Sequence, residues 1–202
     1  MKLTNCPNTH RLIRHLLVKL APVILGVKPS GLLRLTNCRH LAGGRQFDLF
    51  CVHQQEILDA LKLECLILKR NGGNLVVFFF RRDVLGAHLA RPETAEFLRE
   101  RGYRSGSELD ELVRRCRGEG GFPHEIGAFL GYPLKDVRGF LENPAGCLAV
   151  PRGLWRVAGD PAESLAVMEA YRGAENYVKE LVDCGKPLAA TLRKIHNTAS
   201  AA

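Results

Sequence analysis

The chain has 202 residues, of which 46% are apolar and 25% are charged. This balance is that of an ordinary globular protein, and it excludes a disordered chain, a collagen-like chain and a coiled-coil rod. Lysine and arginine number 29 against 21 aspartate and glutamate residues, so the formal net charge is +8. Such an excess indicates a preference for anionic partners, and nucleic acid is the first of these to consider.

The order of the residues also bears on the compartment. No stretch approaches the roughly 18 uninterrupted apolar residues of a membrane span, and Lys19 and Pro22 interrupt the most apolar early region, 16–27. The seven cysteines are an odd number, are widely scattered and form no C-x-x-C pair, a pattern typical of reduced thiols rather than of a disulfide framework. We therefore expect a cytoplasmic protein with neither a membrane span nor a secretion signal.

The first third of the chain predicts two helices and a strand. Residues 10–20 carry apolar side chains on one helical face and basic ones on the other, the pattern of an amphipathic helix. The apolar run 32–35 predicts a short strand, and helical periodicity returns over 49–61. The glycine-containing stretch 38–45 predicts a loop.

The strongest local pattern lies in the middle of the chain. Two apolar runs, 65–69 and 75–80, flank the sequence Arg70-Asn71-Gly72-Gly73-Asn74. An Asn-Gly turn between apolar runs predicts a β-hairpin, because its left-handed residues match the twist of paired strands. The second run is apolar at every position, which predicts a central strand covered on both faces.

The second half of the chain is richer in helix signals. Proline at the start and glycine at the end mark several short helices, and Ser107 with Asp110 resembles a capping box. The predicted helices span 83–90, 92–101, 107–117, 123–130, 133–142, 160–184 and 187–195, with a strand at 154–158. The fold class that results is α+β: a small antiparallel sheet packed by helices, in a single domain 1–202 with a seam near 118–121.

Residues 122–141 are the most distinctive segment, reading F-P-H-E-I-G-A-F-L-G-Y-P-L-K-D-V-R-G-F-L. This segment resembles the signature F-P-H-E-I-G-x-F-L-G-Y-P-x-x-D-V-x-G-F of an uncharacterised bacterial domain-of-unknown-function family. The segments 20–29 and 153–157 also resemble that family, so the similarity covers nearly the whole chain. One departure is Ser30-Gly31, where the family pattern has Ala-Asn. The resemblance implies no activity; it implies only a loose link to iron or redox metabolism, through flavodoxin and iron-uptake gene neighbourhoods.

The same segment has the spacing of a helix-turn-helix. Gly127 falls where two helices would cross closely, and Val137 falls where the second helix would pack back. The second helix, 134–142, has as many acidic as basic residues and lacks the Asn, Gln and Arg cluster that reads base edges. These features favour a structural helical hairpin over a DNA reader.

Four residues are candidates for ligand binding: Lys28, His124, Glu125 and Asp136. His124 and Glu125 fall at the start of a predicted helix, where the positive end of the helix dipole attracts anions. Lys28 precedes Ser30-Gly31, whose backbone N–H groups next to a cation could hold an anion. A purely structural role is the alternative for three of them: a helix-start carboxylate for Glu125, a bridging histidine for His124 and a turn before a strand for Lys28.

A metal site is a further hypothesis. Cys38-x-His40 and Cys51-x-His53 are two short Cys-x-His pairs, and four such ligands would suit zinc or iron. The spacing matches no standard zinc motif. No C-x-x-C-H motif for covalent haem occurs either.

Together these features predict a cytoplasmic binding or regulatory protein whose partner is an anionic ligand or another protein. Two alternatives stay open: a metal- or haem-binding protein or enzyme that uses His124 and Glu125, and a nucleic-acid-binding helix-turn-helix protein. The cofactor and the enzymatic status are left undetermined by the sequence.

Overall fold

A three-stranded antiparallel sheet organises the fold. The computed structural model describes residues 6–37, 45–118 and 121–201. The strands are β1 (Ser30–Thr36), β2 (Glu64–Asn71) and β3 (Asn74–Phe80), in the order β1-β3-β2. The predicted hairpin is confirmed, since β2 and β3 pair through a turn in which Gly72 and Gly73 both have positive φ. The uniformly apolar run is the central strand, as predicted.

Helices surround this sheet, which confirms the α+β class. Several of them begin near the predicted prolines or end near the predicted glycines, because proline fits the first helical turn and glycine adopts the left-handed conformation after the last. Their bounds are α1 (Pro7–Lys19), α2 (Ala21–Ile24), α3 (Gln46–Leu61), α4 (Arg82–Leu89), α5 (Pro92–Glu100), α6 (Glu108–Arg117), α7 (Ile126–Phe129), α8 (Leu134–Glu142), α9 (Ala162–Asp183) and α10 (Leu188–Ala201).

The two faces of β3 bury separate apolar clusters. Val77 and Phe79 face a cluster formed with α1, α2, α3, α10 and the C-terminal part of α9. Phe78 and Phe80 face a second cluster formed with α4 to α8. This two-sided burial follows from the side-chain alternation of a strand. The second cluster supports α7 and α8, the elements of the distinctive segment 122–141.

Four local predictions differ from the structure. The helix predicted over 123–130 is the shorter α7, so His124 and Glu125 precede the helix instead of forming its first turn. Residues 154–158 form no strand; Val157 makes one isolated bridge with Leu148, and side-chain hydrogen bonds hold the segment instead. Ser107 precedes α6 as predicted, but its hydroxyl donates to the Arg104 carbonyl rather than capping the helix. The last helix, α10, continues past the predicted end at 195.

Two predictions fall partly outside the described residues. The loop at 38–45 is described only at Arg45, and residues 119 and 120 of the proposed seam are not described. The single domain and its seam therefore stay predictions.

Two helical glycines test how tightly α8 is packed. A Cβ at Gly139 would overlap the Cβ of Ala158, whereas a Cβ at Gly173 in α9 would meet nothing within 4 Å. We expect Gly139→Ala to lower the free energy of unfolding by about 1–3 kcal/mol through overpacking. Gly173→Ala should raise it by about 0.5–1 kcal/mol because alanine restricts the unfolded chain. Urea denaturation of both variants checks the opposite signs, and two changes of the same sign would contradict them.

Candidate functional site

The segment 122–141 folds into a tight helical hairpin. The one-turn helix α7 and the longer α8 are joined by a turn in which Gly131 has a φ of +72°. A Cβ at Gly127 would come within 2.9 Å of Val137 Cγ2. Only glycine permits this approach without a shift of its neighbours, so the predicted crossing of Gly127 with Val137 is confirmed.

Asp136 attaches a second segment, residues 155–158, to this hairpin. Its Oδ2 accepts hydrogen bonds from Trp155 Nε1 at 2.7 Å and from Ser164 Oγ at 2.6 Å. Its Oδ1 accepts from the Ala158 backbone N–H and from Lys135 Nζ, both at 2.9 Å. Asp136 is only 2% exposed, so both of its oxygens are occupied by donors of the protein itself.

The electrostatics of Asp136 follow from these contacts. Burial raises the pKa of the carboxyl, but hydrogen bonds from Lys135, Ser164, Trp155 and Ala158 oppose this effect, and the net result is a lowered pKa. The group is therefore an ionised carboxylate at neutral pH. The sequence proposed it as a ligand-binding residue; in the structure it joins α8, the segment 155–158 and the start of α9.

Trp155 belongs to an array of aromatic rings. It stacks on Tyr132, with ring centroids 4.2 Å apart and planes inclined by 17°. Tyr171 of α9 lies 6.2 Å from Trp155, and its hydroxyl donates to the Gly131 carbonyl at 2.8 Å. None of these three residues is among the ligand-binding candidates suggested by the sequence.

The ammonium group of Lys28 lies against two rings of this array. Its Nζ is 5.5 Å from the centroid of Tyr132 and 5.2 Å from that of Tyr171, within the range of cation–π attraction. In the described part of the chain, Nζ has no hydrogen-bond acceptor and no carboxylate. Burial lowers the pKa of Lys28 to about 8, because no nearby negative charge compensates for the lost hydration.

Beside the array lies a cavity of about 310 Å³. Tyr132 and Trp155 form part of its wall, and His124 and Phe140 meet there edge to face at 5.1 Å. Arg156 also lines it and donates one hydrogen bond, to the Cys147 carbonyl at 3.2 Å. The complete lining is His124, Ile126, Gly127, Leu130, Tyr132, Asp136, Val137, Phe140, Trp155 and Arg156.

The structure separates His124 from Glu125. The ring of His124 is exposed at the cavity, whereas the Oε1 of Glu125 accepts from Tyr103 Oη at 3.1 Å and from Arg115 Nη1 at 2.8 Å. Adjacent residues of a turn point in different directions, which explains the separation. Of the four candidates, His124 and Asp136 line the cavity, Lys28 lies over the ring of Tyr132 without lining the cavity, and Glu125 belongs to a different ion-pair network.

Only one of the two Cys-x-His pairs can be compared with the structure. Cys38 and His40 lie outside the described residues. Cys51 is exposed and accepts from Arg70 at 3.4 Å, while His53 lies 3.4 Å from Glu56, within the same helix. No three His, Cys, Asp or Glu side chains of the described ranges come together in a way that could hold a metal ion.

The basic residues of α8 have partners within the protein. Lys135 contacts Asp136, the Ala158 carbonyl and Ser164. Arg138 donates to Glu100 at 2.9 Å and lies over the ring of Phe97. A DNA-reading helix instead presents its polar side chains to the groove, so this arrangement gives the helix-turn-helix hypothesis no support.

Ser30 and Gly31 have clear structural roles. Ser30 is buried, and its hydroxyl donates to the Phe129 carbonyl at 2.7 Å, which ties β1 to α7. A Cβ at Gly31 would come within 2.8 Å of Leu20 Cδ2. The two residues that depart from the family pattern, Ser30 and Gly31, therefore lie in the packed interior of the protein.

Fold and site together define an α+β protein with an aromatic cavity at a helical hairpin. Residues 16–192 match the family described as "Protein of unknown function (DUF3793)", and the chain belongs to that family. Searches of curated proteins and of solved structures found no match. Among the helices of the described residues, none has the length and apolar character needed to cross a bilayer.

Proposed function

We propose that the protein is a cytoplasmic binding protein whose aromatic cavity takes a small, flat, anionic ligand such as an aromatic carboxylate. The observation that carries the proposal is the cavity of about 310 Å³, walled by stacked Tyr132 and Trp155 and by Phe140. A concave, mostly apolar site with a few converging polar groups is the usual form of a small-molecule site.

The charges around the cavity favour an anion. Arg156 lines the cavity, and Lys28 lies over the ring of Tyr132 without a carboxylate partner in the described residues. The negative charge of Asp136 is balanced by Lys135 at 2.9 Å. A cationic ligand would meet uncompensated positive charge, whereas a carboxylate could pair with the guanidinium of Arg156.

Trp155 makes the proposal directly testable, because it is the single tryptophan of the chain and lines the cavity. Benzoate, benzamide and benzamidine share one ring and differ in charge. We expect benzoate to change the Trp155 emission with a Kd of about 1 mM, the scale for so few ligand atoms, and the other two to bind at least about tenfold more weakly, since losing a charge-assisted bond costs about 1.5 kcal/mol.

Matched arginine variants serve as controls. Arg156→Gln should weaken the binding of benzoate by about tenfold and leave the binding of benzamide unchanged, because it removes only the charged partner. Arg152→Gln alters an exposed arginine of the same segment that does not line the cavity, and it should have no effect. Equal responses to all three compounds, or no response of Trp155 at any concentration, would refute the proposal.

The same residues give less support to the other hypotheses. His124 and Glu125 point apart, so they provide no joint acid–base or metal pair. The link to iron or redox metabolism stays a prediction, since it comes from the family resemblance and not from the site.

A further inference from the structure

A groove of about 530 Å³ lies over one face of the sheet, near the tip of the β2–β3 hairpin. The strand register forms its floor, because Val76 of β3 is paired with Arg34 of β1 on one side and with Lys69 of β2 on the other. Residues paired directly across antiparallel strands present their side chains to the same face. Neighbouring strands lie about 4.8 Å apart, so the backbones of the two basic residues are about 10 Å apart, with an apolar side chain between them.

The fold itself does not use the charges of this row. Arg34 and Lys69 are both exposed, and in the part of the chain that the structure describes neither side chain makes a hydrogen bond or an ion pair. A third cation, Arg117, lies beside the edge strand β2, where its Nη2 donates to the Ile67 carbonyl at 2.9 Å. Among the described residues that line the groove none is acidic, so the positive charge there is not compensated.

An aromatic ring and two amides complete the groove. Phe122 is half-buried, packs against the second apolar cluster and lines the groove. Asn71 and Asn74 are paired at the end of the hairpin and line the groove as well, and each side-chain amide offers both donors and an acceptor. A groove that combines unpaired cations with an aromatic ring is suited to phosphates and to the flat bases that accompany them.

We propose that this groove binds single-stranded nucleic acid without sequence preference. Phe122 stacks on one base, while Arg34 and Lys69 pair with phosphates on the two sides of the central strand. Arg117 continues the basic path beyond β2. The inference is separate from the proposed function, because the groove and the aromatic cavity share no lining residue.

The arrangement favours a single strand over other anions. The bases of a duplex are stacked within the double helix, so Phe122 can stack only on a base of an unpaired strand. An acidic peptide would satisfy Arg34 and Lys69 but would bring no base to the ring. The two cations come from strands on opposite sides of β3, which suits a chain with successive phosphates better than a ligand with one.

The test follows the fluorescence anisotropy of a fluorescein-labelled oligothymidylate of about eight nucleotides, a length within the usual site size. We expect a Kd on the order of 10 µM at about 50 mM salt, because few phosphates are contacted. The contacts to Arg34 and Lys69 alone give a slope of about −1.4 in log K against log salt concentration, so about 200 mM salt should weaken the binding about sevenfold.

Three variants separate charge from stacking. Arg34→Gln combined with Lys69→Gln should weaken the binding by about tenfold or more and reduce the steepness of the salt slope by about 1.4. Phe122→Leu should weaken the binding by about tenfold without changing the slope, because stacking involves no counterion release. Lys179→Gln combined with Arg193→Gln removes the same charge from exposed positions of α9 and α10 and should change the Kd by less than about twofold, since distant charges are screened.

Unlabelled competitors identify the kind of ligand. A duplex of equal length, thymidine monophosphate and a glutamate peptide of equal length should each displace the labelled strand at least about tenfold more weakly than the unlabelled strand does, since each lacks either the unpaired base or the successive phosphates. Equal displacement by any of the three would overturn the assignment to a single strand.

Two further results would overturn the inference: an unchanged anisotropy at the lowest salt concentration, and equal weakening by the groove pair and by the Lys179 and Arg193 pair. The decision does not depend on the folding of Phe122→Leu, because the wild-type salt slope and the exposed charge variants suffice. The benzoate response of Trp155 belongs to the other site and would be unaffected by any of these outcomes.

Discussion

Replacing Asp136 with alanine is expected to lower the free energy of unfolding by about 3–5 kcal/mol. The carboxylate is 2% exposed and accepts four hydrogen bonds. Its removal leaves three interior donors without an acceptor: Trp155 Nε1, the Ala158 N–H and Ser164 Oγ. Each unsatisfied donor costs about 1–3 kcal/mol. Denaturant unfolding followed by Trp155 fluorescence measures the loss.

Asp136→Asn separates charge from shape. The amide keeps the outline of the carboxylate, but its NH₂ group faces two donors, so part of the network is lost. Asp183→Asn is the matched control, since Asp183 is exposed at the end of α9 and should change stability by less than about 0.5 kcal/mol. Similar losses in both asparagine variants would contradict the role of Asp136 as the connecting residue.

The same residue predicts a pH dependence with a definite sign. The folded state lowers the pKa of Asp136 below its ordinary value of 3.8, so the unfolded state binds the proton more readily. The stabilisation by Asp136 is therefore complete above the unfolded pKa and is lost as the pH falls through 3.8 toward the folded pKa. The stability difference between wild type and Asp136→Asn should shrink over that range, and a constant difference would contradict this sign.

Sequence periodicity was sufficient to predict the strands of the sheet and most of the helices. The hairpin could be predicted because its signal is local: Gly72 and Gly73 provide the left-handed turn, and the flanking runs are apolar. The crossing of Gly127 with Val137 was also predictable, since both residues lie in one short motif. In each case the interacting residues are near one another in the chain.

The aromatic array could not be predicted in this way. Tyr132, Trp155 and Tyr171 come from a turn, an irregular segment and a long helix, and no spacing rule connects them. Their meeting depends on the hydrogen bonds of Asp136, which bring Trp155 to the hairpin. Residues 154–158 read as a strand in the sequence, but in the structure Asp136, not a sheet, accepts the hydrogen bonds of Trp155 Nε1 and the Ala158 N–H.

Sequence adjacency also misled the choice of site residues. His124 and Glu125 form a conspicuous polar pair in an apolar motif, yet one lies at the cavity and the other pairs with Arg115. Lys28 was selected for its neighbours Ser30 and Gly31, whose roles are structural. Its actual surroundings, two tyrosine rings, arise only from the tertiary packing.

Gly131→Ala is expected to cost about 3 kcal/mol of stability, the sum of two separate effects. Gly131 has a φ of +72°, and an L-residue in this conformation costs about 1–2 kcal/mol. A Cβ would also lie 2.5 Å from Pro29 Cδ and 2.9 Å from Tyr171 Oη, and relieving such contacts costs about 1–3 kcal/mol.

Gly185 allows the two effects to be separated. Its φ is +69°, but a Cβ there would meet nothing within 4 Å. Gly185→Ala therefore carries the conformational cost alone, about 1 kcal/mol, and the difference between the two variants measures the close approach. Urea unfolding of both provides the comparison, and equal losses would mean that the contact with Pro29 contributes nothing.

The same pair of variants connects packing to the site. Gly131 precedes Tyr132, which walls the cavity, and a side chain at 131 must move either Pro29 or the Tyr171 hydroxyl that donates to the Gly131 carbonyl. Gly131→Ala should therefore reduce the benzoate response of Trp155, because a shift of this turn displaces the Tyr132 ring that stacks on Trp155. Gly185→Ala should leave the benzoate response intact, since its backbone strain lies beyond the end of α9. Loss of stability in Gly131→Ala without loss of the benzoate response would show that the site tolerates the shift, and that the close approach of Gly131 to Pro29 serves folding alone.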